Sequence, residues 1–329
     1  MTSSDSQSEQ KDSGDDIPTE PLNTTQEPTT KIKSNLKSKF LCISKYSNGT
    51  TSVITVGSTP LGWDFFLQMS IPLSLFCYII FVVNILATRI FSEKERLIIR
   101  VVFNFFAGMS LFCYLRTTFT SPGYLPPEWK LDEYRHKSAV VDFPLTPQEH
   151  FHAKHRPRPP RSRYSKKYHV VALKADHICY IVGNMIGFRN YKFFLLVLFY
   201  FDLSSILSTI ILSFAIIKSE NTFDRISAYI AISICCFFFI FLTRLILRHT
   251  RFVFKNLTTI ENYHEKKDKG TRKETPNIYD LGKWKNTQQV FGKNPLFWCL
   301  PVRYGIKGDG YTFKTNTSEP NDDIELDEL

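Results

Sequence analysis

The stretch 159–190, PPRSRYSKKYHVVALKADHICYIVGNMIGFRN, holds the residue types best suited to chemistry: Asp176, His177 and Cys179 fall within four positions. A thiol is a weak nucleophile and a thiolate a strong one, so a working cysteine needs a neighbouring base or cation. His177 stands two residues from Cys179. A carboxylate that accepts the other imidazole N–H fixes the tautomer and stabilises the imidazolium formed when the ring takes the thiol proton. Asp176 is the candidate for that task. Eight Lys and Arg residues lie between Lys154 and Lys174 with no acid among them, a positive field that favours a thiolate and suits an anionic cosubstrate. Spacing alone leaves chance adjacency open, because neighbouring side chains need not point at one another.

Such a cluster needs a frame, and the flanking sequence indicates a membrane. The 329 residues are 43% apolar, an average over two unlike kinds of segment. Residues 65–88 are uncharged over 24 positions, 193–217 carry one charge in 25, and 226–243 carry none in 18. Each approaches the ~20 apolar residues that a spanning helix requires. A fourth stretch, 97–115, contains Arg100 near one end, where a long side chain snorkels to the headgroups. Any one of these could be a buried helix of a soluble protein. Four in one chain, rich in Phe and Ile, predict an α-helical integral membrane protein with four transmembrane helices and a polar loop domain between the second and third.

Positive charge sets the expected orientation. The 119–190 loop carries twelve Lys/Arg against six Asp/Glu, Arg248, Arg251 and Lys255 follow the last span, and the short connections 89–96 and 218–225 are nearly balanced. Both termini and the loop should therefore be cytosolic, in an endomembrane (Golgi or ER) or the plasma membrane. The Ser/Thr/Asp/Glu-rich opening does not read as a signal peptide. The cysteines agree with a reducing compartment: Cys77, Cys113, Cys235 and Cys236 lie in apolar spans, and Cys42, Cys179 and Cys299 lie singly in polar segments. The net charge of +10 suits the anionic cytosolic leaflet. Beside four spans, a nucleic-acid partner is set aside.

The expected organisation is a cytosolic N-terminal region at 1–62, transmembrane helices 1 and 2 in 63–118, a cytosolic loop domain at 119–190, helices 3 and 4 in 191–247, and a cytosolic C-terminal region at 248–329. Residues 1–30 hold seven acids and one Lys, a composition too polar to bury a core. His150, His152, His155 and His169 are metal-competent, but with no regular element to set their geometry they read as a solvated loop. Asp202 falls about a dozen residues, or ~16 Å, into the third span; such a carboxyl must face the bundle interior, find a partner or stay protonated. Residues 256–261 read as a helix start with Thr capping and Glu in the first turn. Residues 289–313 are aromatic and Gly/Pro-punctuated, too short for a span but apolar enough to pack on the bundle or the interface.

Together these features resemble the DHHC-type protein S-acyltransferases, the membrane palmitoyltransferases, over 65–313. The specific matches are Thr-Ser-Pro at 120–122, PPRS at 159–162, D-H-x-C at 176–179, GFRNYKFF at 187–194, T-T-x-E at 258–261, QVFG at 289–292 and GDGxxF at 308–313. The resemblance implies that Cys179 takes a palmitoyl group from acyl-CoA as a thioester and passes it, by a ping-pong route, to juxtamembrane cysteines of membrane-associated proteins. It implies that His177 is the base and Asp176 its orienter. Arg161, Lys166, Lys167 and Lys174 are candidates to meet the CoA phosphates.

One departure is marked. The second His of the family motif, a zinc ligand, is Ile178 here, and the other implied zinc positions hold Phe151, Lys154, Tyr164, Ser165, Tyr168, Val171 and Met185. None is a thiolate or imidazole. The loop is therefore expected to hold no metal, with Tyr164, Tyr168, Val170, Val171, Leu173, Ile178, Ile181 and Met185 forming a small apolar core instead. Pro-Trp after the nucleophile is replaced by Tyr180-Ile181, while Asn184, Gly187 and Asn190 match. The alternative is a catalytically inactive relative that serves as a membrane scaffold or a lipid- or protein-binding subunit.

Overall fold

The computed structural model describes residues 43–48, 51–56, 59–60, 63–125, 158–165, 167–168, 170–268 and 277–317. Four long helices form its frame: α1 (Trp63–Ile90), α2 (Glu93–Phe119), α3 (Tyr191–Lys218) and α4 (Thr222–Lys255). All four are long and apolar enough to cross a membrane. Each runs past its apolar stretch. In α4 the helix continues beyond residue 243 through Arg244, Arg248, His249 and Arg251, because turns beyond the hydrocarbon tolerate charge. It stops at Asn256, whose left-handed φ of 48° is one that Asn accepts at a helix end.

Helix α3 packs against the other three. The bundle core joins Phe76, Val83 and Leu86 of α1, Phe103 and Ala107 of α2, Leu212 and Ala215 of α3, and Ala228 and Ala231 of α4; the small residues let the helices approach closely. Outward-facing Phe81, Ile98, Phe237 and Ile240 are exposed, an apolar surface that lipid covers. Several polar groups inside the spans are paired with one another. Thr243 Oγ1 donates to Asp202 at 3.2 Å across α3 and α4, Asn84 and Asn104 exchange amide hydrogen bonds at 3.0 and 2.9 Å, and Arg89 pairs with Asp224.

Strands β1 (Ile43–Asn48), β2 (Thr51–Val56) and β3 (Thr59–Pro60) form an antiparallel sheet before α1. Between α2 and α3 lie two further hairpins: β4 (Arg163–Ser165) with β5 (Val170–Ala172), and β6 (His177–Cys179) with β7 (Asn184–Ile186). Strands of three residues are too short for alternation to show in sequence, so this region reads there as loop. The four-histidine loop at 150, 152, 155 and 169 lies outside the described residues.

Two asparagines weld the second hairpin to α2. Asn184 Nδ2 donates to the carbonyls of Thr117, Thr118 and Thr120 at 3.2, 2.9 and 2.9 Å, satisfying acceptors that a helix end leaves unpaired. Asn190 Nδ2 donates to Met185 O at 2.8 Å while its Oδ1 accepts from Gly187 N at 2.9 Å. A Cβ on Gly187 would stand 2.9 Å from the carbonyls of both Leu173 and Pro122, so the backbone approach itself requires glycine. Tyr114 Oη on α2 donates to Ile181 O at 2.8 Å, pinning the turn that follows Cys179.

After α4 come α5 (Thr259–Asp268) and α6 (Lys283–Phe291). The segment 291–302 wraps around buried Lys192 of α3, whose Nζ donates to the carbonyls of Phe291, Phe297 and Val302 at 3.3, 2.7 and 2.8 Å. The aromatic stretch expected at 289–313 thus packs on the bundle. Leu296 and Tyr304 remain exposed beside it.

Candidate active site

Strand β6 presents His177 and Cys179 two residues apart, hence on one face. Asp176 Oδ2 lies 2.7 Å from His177 Nδ1. The carboxylate is held from behind by α5: Thr259 N donates to Oδ1 at 2.8 Å and Thr259 Oγ1 to Oδ2 at 2.9 Å. The start of α5 is in turn a capping box, with Glu261 Oε2 accepting from Thr258 N at 2.8 Å and Thr258 Oγ1 accepting from Glu261 N at 3.2 Å. The T-T-x-E string thus does two tasks. One Thr and the Glu close the helix end; the other Thr fixes the carboxylate.

Glu261 also meets Arg161 in a buried, two-pronged ion pair, Nε to Oε1 at 2.7 Å and Nη2 to Oε2 at 2.8 Å. Arg161 further donates to Asn256 Oδ1 and O at 3.2 and 2.8 Å, and its guanidinium lies over the rings of Tyr279 and Phe313 at 4.2 and 5.0 Å. Lys174 Nζ donates to the same Asn256 Oδ1 at 2.9 Å. Arg161 and Lys174, both candidates for a phosphate, are thus turned inward, and both sit at positive φ, 61° and 40°. Their guanidinium and ammonium hold the hairpins to the end of α4 instead of reaching solvent. Lys167 is exposed, its Nζ 4.6 Å from the Tyr180 ring centre. Lys166 lies outside the described residues.

The electrostatics favour a charged Asp–His pair. Burial alone would raise the Asp176 carboxyl, but the hydrogen bond and charge of His177, His249 nearby and the Thr259 N–H together hold it low. Burial would likewise lower His177, yet hydrogen bonds to Asp176 and Cys179 and the charge of Asp176 raise it to about 10. Lys174 goes the other way: burial and then Arg161 lower it to about 7, against Glu261 and Asp176.

From Cys179 and His177 a cavity of about 400 Å³ runs into the bundle between all four helices. Its walls are apolar, with Phe76, Leu111, Val197, Phe201 and Phe238 among them. Cys179 and His177 thus open directly onto a space suited to a hydrocarbon chain.

The family model for DHHC palmitoyltransferase matches residues 146–266, from the loop domain through α3 and α4 into α5. Probable protein S-acyltransferase 14 of Arabidopsis thaliana is 33% identical over 226 residues, covering 62% of this chain and 72% of that protein. The chain belongs to the DHHC palmitoyltransferase family. Probable protein S-acyltransferase 12 of the same plant is 34% identical over 215 residues, 61% of this chain and 72% of the relative. Palmitoyltransferase ZDHHC15 of Rattus norvegicus is 34% identical over 161 residues, 47% of each chain.

This DHHC relative does not present the donors that the family resemblance assigns to zinc. Among the described residues at those positions, Ile178 stands opposite Met185 across β6 and β7, and Tyr164 opposite Val171 across β4 and β5. Met185 is buried with Ala172 and Ala175, and Tyr124, Tyr168, Ile178 and Ile260 pack on them. Ser165 Oγ accepts from Tyr168 N at 3.3 Å, a turn contact. Apolar side chains fill the place of thiolates and imidazoles, and zinc does not fit there. Leu173 instead joins Leu125, Phe188 and Tyr311 in a neighbouring cluster, and Ile181 is 45% exposed. Asp176, His177 and His249 bring donor atoms within 4.8 Å of one another, but Asp176 is already committed to His177 and Thr259. Sequence reasoning finds Thr259 only as part of the T-T-x-E string and misses its role as the carboxylate's anchor, and it misses His249 beside the dyad. Both come from elements some 70 or more positions away in sequence, a separation that no local motif encodes.

Proposed function

We propose that this protein is a protein S-acyltransferase that moves a long-chain acyl group, palmitoyl above all, from acyl-CoA through a thioester on Cys179 to cysteines of membrane-associated proteins. The observation that carries this reading is the placement of Cys179 and His177 at the mouth of the apolar cavity. Burying an acyl chain there is favourable by roughly 0.8 kcal/mol per methylene, and it brings the thioester to the nucleophile. His177 is the base, oriented by Asp176. The thiolate displaces CoA, which leaves as a thiol, and a substrate cysteine then takes the acyl group in a second displacement. Of the basic candidates among the described residues, exposed Lys167 is the one suited to the CoA phosphates. The Lys/Arg excess of the loop supports a cytosolic side for it and for both termini, and the domain division proposed is the one read from sequence: 1–62, 63–118, 119–190, 191–247 and 248–329.

Alkyne-tagged palmitoyl-CoA tests this directly. Purified wild type is expected to take a hydroxylamine-sensitive label that Cys179→Ser abolishes, that Cys42→Ser/Cys299→Ser leaves in place, and that a substrate peptide thiol removes. A folded protein with no Cys179-dependent label would instead be a membrane scaffold or binding subunit.

The hairpins are proposed to fold without metal. Elemental analysis of the purified protein should give no stoichiometric zinc, and chelator should leave its melting temperature unmoved. Zinc bound in a simple ratio to the chain would overturn this, because structural zinc contributes ~10 kcal/mol or more to folding where it is present.

A further inference from the structure

His249, near the end of α4, is 4% exposed, and its ring centre lies 5.8 Å from that of His177. Phe194 stands edge-on to both imidazoles at 5.1 Å. Two imidazoles therefore share the wall of the cavity onto which Cys179 opens. Only one of them is accounted for by the Asp176–His177–Cys179 relay.

The second is oriented by Tyr191, whose Oη lies 3.0 Å from His249 Nδ1. A phenol has a single proton to donate, and among the described residues Nδ1 is the acceptor that Tyr191 reaches. With Nδ1 accepting, neutral His249 carries its proton on Nε2. No hydrogen bond to Nε2 is found among the described residues, and the ring lines the cavity. A fixed N–H donor with no acceptor among the described residues, on a ring that lines the cavity beside Cys179, is open to an acceptor on bound substrate.

We propose that His249 is the oxyanion donor of the acyl-transfer reaction, its Nε2–H meeting the thioester carbonyl oxygen as that oxygen takes up charge. The assignment rests on Cys179 being the acyl-accepting nucleophile. In the first displacement the Cys179 thiolate forms a bond to the acyl carbon, and the carbonyl π pair moves onto oxygen, which accepts the His249 N–H. Collapse restores the carbonyl and breaks the bond to CoA sulfur; the departing thiolate takes the proton of the His177 imidazolium. In the second, a substrate thiol gives its proton to His177 and its sulfur attacks the Cys179 thioester, with His249 again holding the oxygen; collapse breaks the bond to Cys179 sulfur, which leaves as the thiolate beside the His177 imidazolium. His177 cannot fill both roles, since Nδ1 is bound to Asp176 and the other nitrogen serves the sulfur. A neutral imidazole donor held in place before reaction stabilises developing charge with little reorganisation.

The test sets two reactions of Cys179 side by side in the full-length protein. Single-turnover acylation by palmitoyl-CoA passes through an oxyanion; alkylation by iodoacetamide does not. His249→Ala is expected to slow acylation by about 10²–10³-fold and to leave the alkylation rate unchanged, whereas His177→Ala slows both. His249→Gln, which restores a neutral N–H donor, should recover part of the loss. Tyr191→Phe keeps the buried ring but frees its tautomer, and should give an intermediate loss in acylation alone, so the assignment stays testable if His249→Ala fails to fold. Acylation and alkylation falling together in His249→Ala or Tyr191→Phe would mean that His249 merely props His177, and would overturn the assignment; so would unimpaired acylation. Wild type that alkylates but takes no acyl group at Cys179 would sink the transferase reading, and the oxyanion role with it.

Discussion

Asp176→Asn is expected to slow acylation of Cys179 by about 10⁴-fold, the scale of a base locked in the wrong tautomer. The hydrogen bonds around the carboxylate dictate that outcome. Oδ1 accepts from the Thr259 backbone N–H and Oδ2 from both His177 and the Thr259 hydroxyl. An asparagine has one oxygen and one NH2 to fill those places. The backbone N–H can only donate, so the oxygen must stay on its side and the NH2 turns toward His177. The ring then accepts through Nδ1 and keeps its proton on Nε2, facing Cys179 with no free lone pair. Single-turnover acylation measures the effect, and a rate within tenfold of wild type would remove Asp176 from the proposed mechanism.

The same substitution should change how stability follows pH. His177 is raised to about 10 in the folded protein, above its unfolded value of about 6.5. Its contribution is therefore fully present below pH 6.5, and it fades as pH climbs to about 10. Asp176 is held low, so its contribution is present above the unfolded carboxylate value and lost as pH falls further. The difference in melting temperature between wild type and Asp176→Asn should accordingly narrow from neutral pH toward pH 10.

How much of this was legible in sequence depends on the range of the interaction. The four spans follow from uninterrupted apolar runs, a signal that each helix carries within itself. The Asp176-His177-x-Cys179 cluster is equally local, since strand β6 places positions two apart on one face. The ends of the helices were less clear: α4 outruns its uncharged stretch by twelve residues, because hydropathy marks the hydrocarbon and not the helix. Arg161 and Lys174 were misjudged for a related reason. A run of basic residues reads as a solvated, phosphate-seeking surface, and only the fold reveals that Glu261 and Asn256, far along the chain, draw two of them inward.

Glu261→Ala is expected to destabilise the protein by about 3–5 kcal/mol, the cost of leaving a buried charge without its partner. Arg161 has no exposed side-chain surface and Glu261 only 3%, so water cannot replace the lost carboxylate. Beside Arg161 sits Lys174, whose charge Glu261 helps to hold; removing the carboxylate leaves both cations facing one another across Asn256. Arg161→Ala should cost a similar amount, and the double variant clearly less than the sum, since each single change orphans the same pair. A loss below about 1 kcal/mol for Glu261→Ala, the scale of an exposed pair, would show that the network is solvated. Chemical denaturation in detergent gives these values. The damage should also reach the chemistry, because Thr258 and Glu261 fix the turn from which Thr259 holds Asp176. Glu261→Ala is thus expected to slow acylation at temperatures where it is still folded, whereas Glu261→Gln, which preserves the acceptor toward Thr258 N, should lose stability but retain more of the rate.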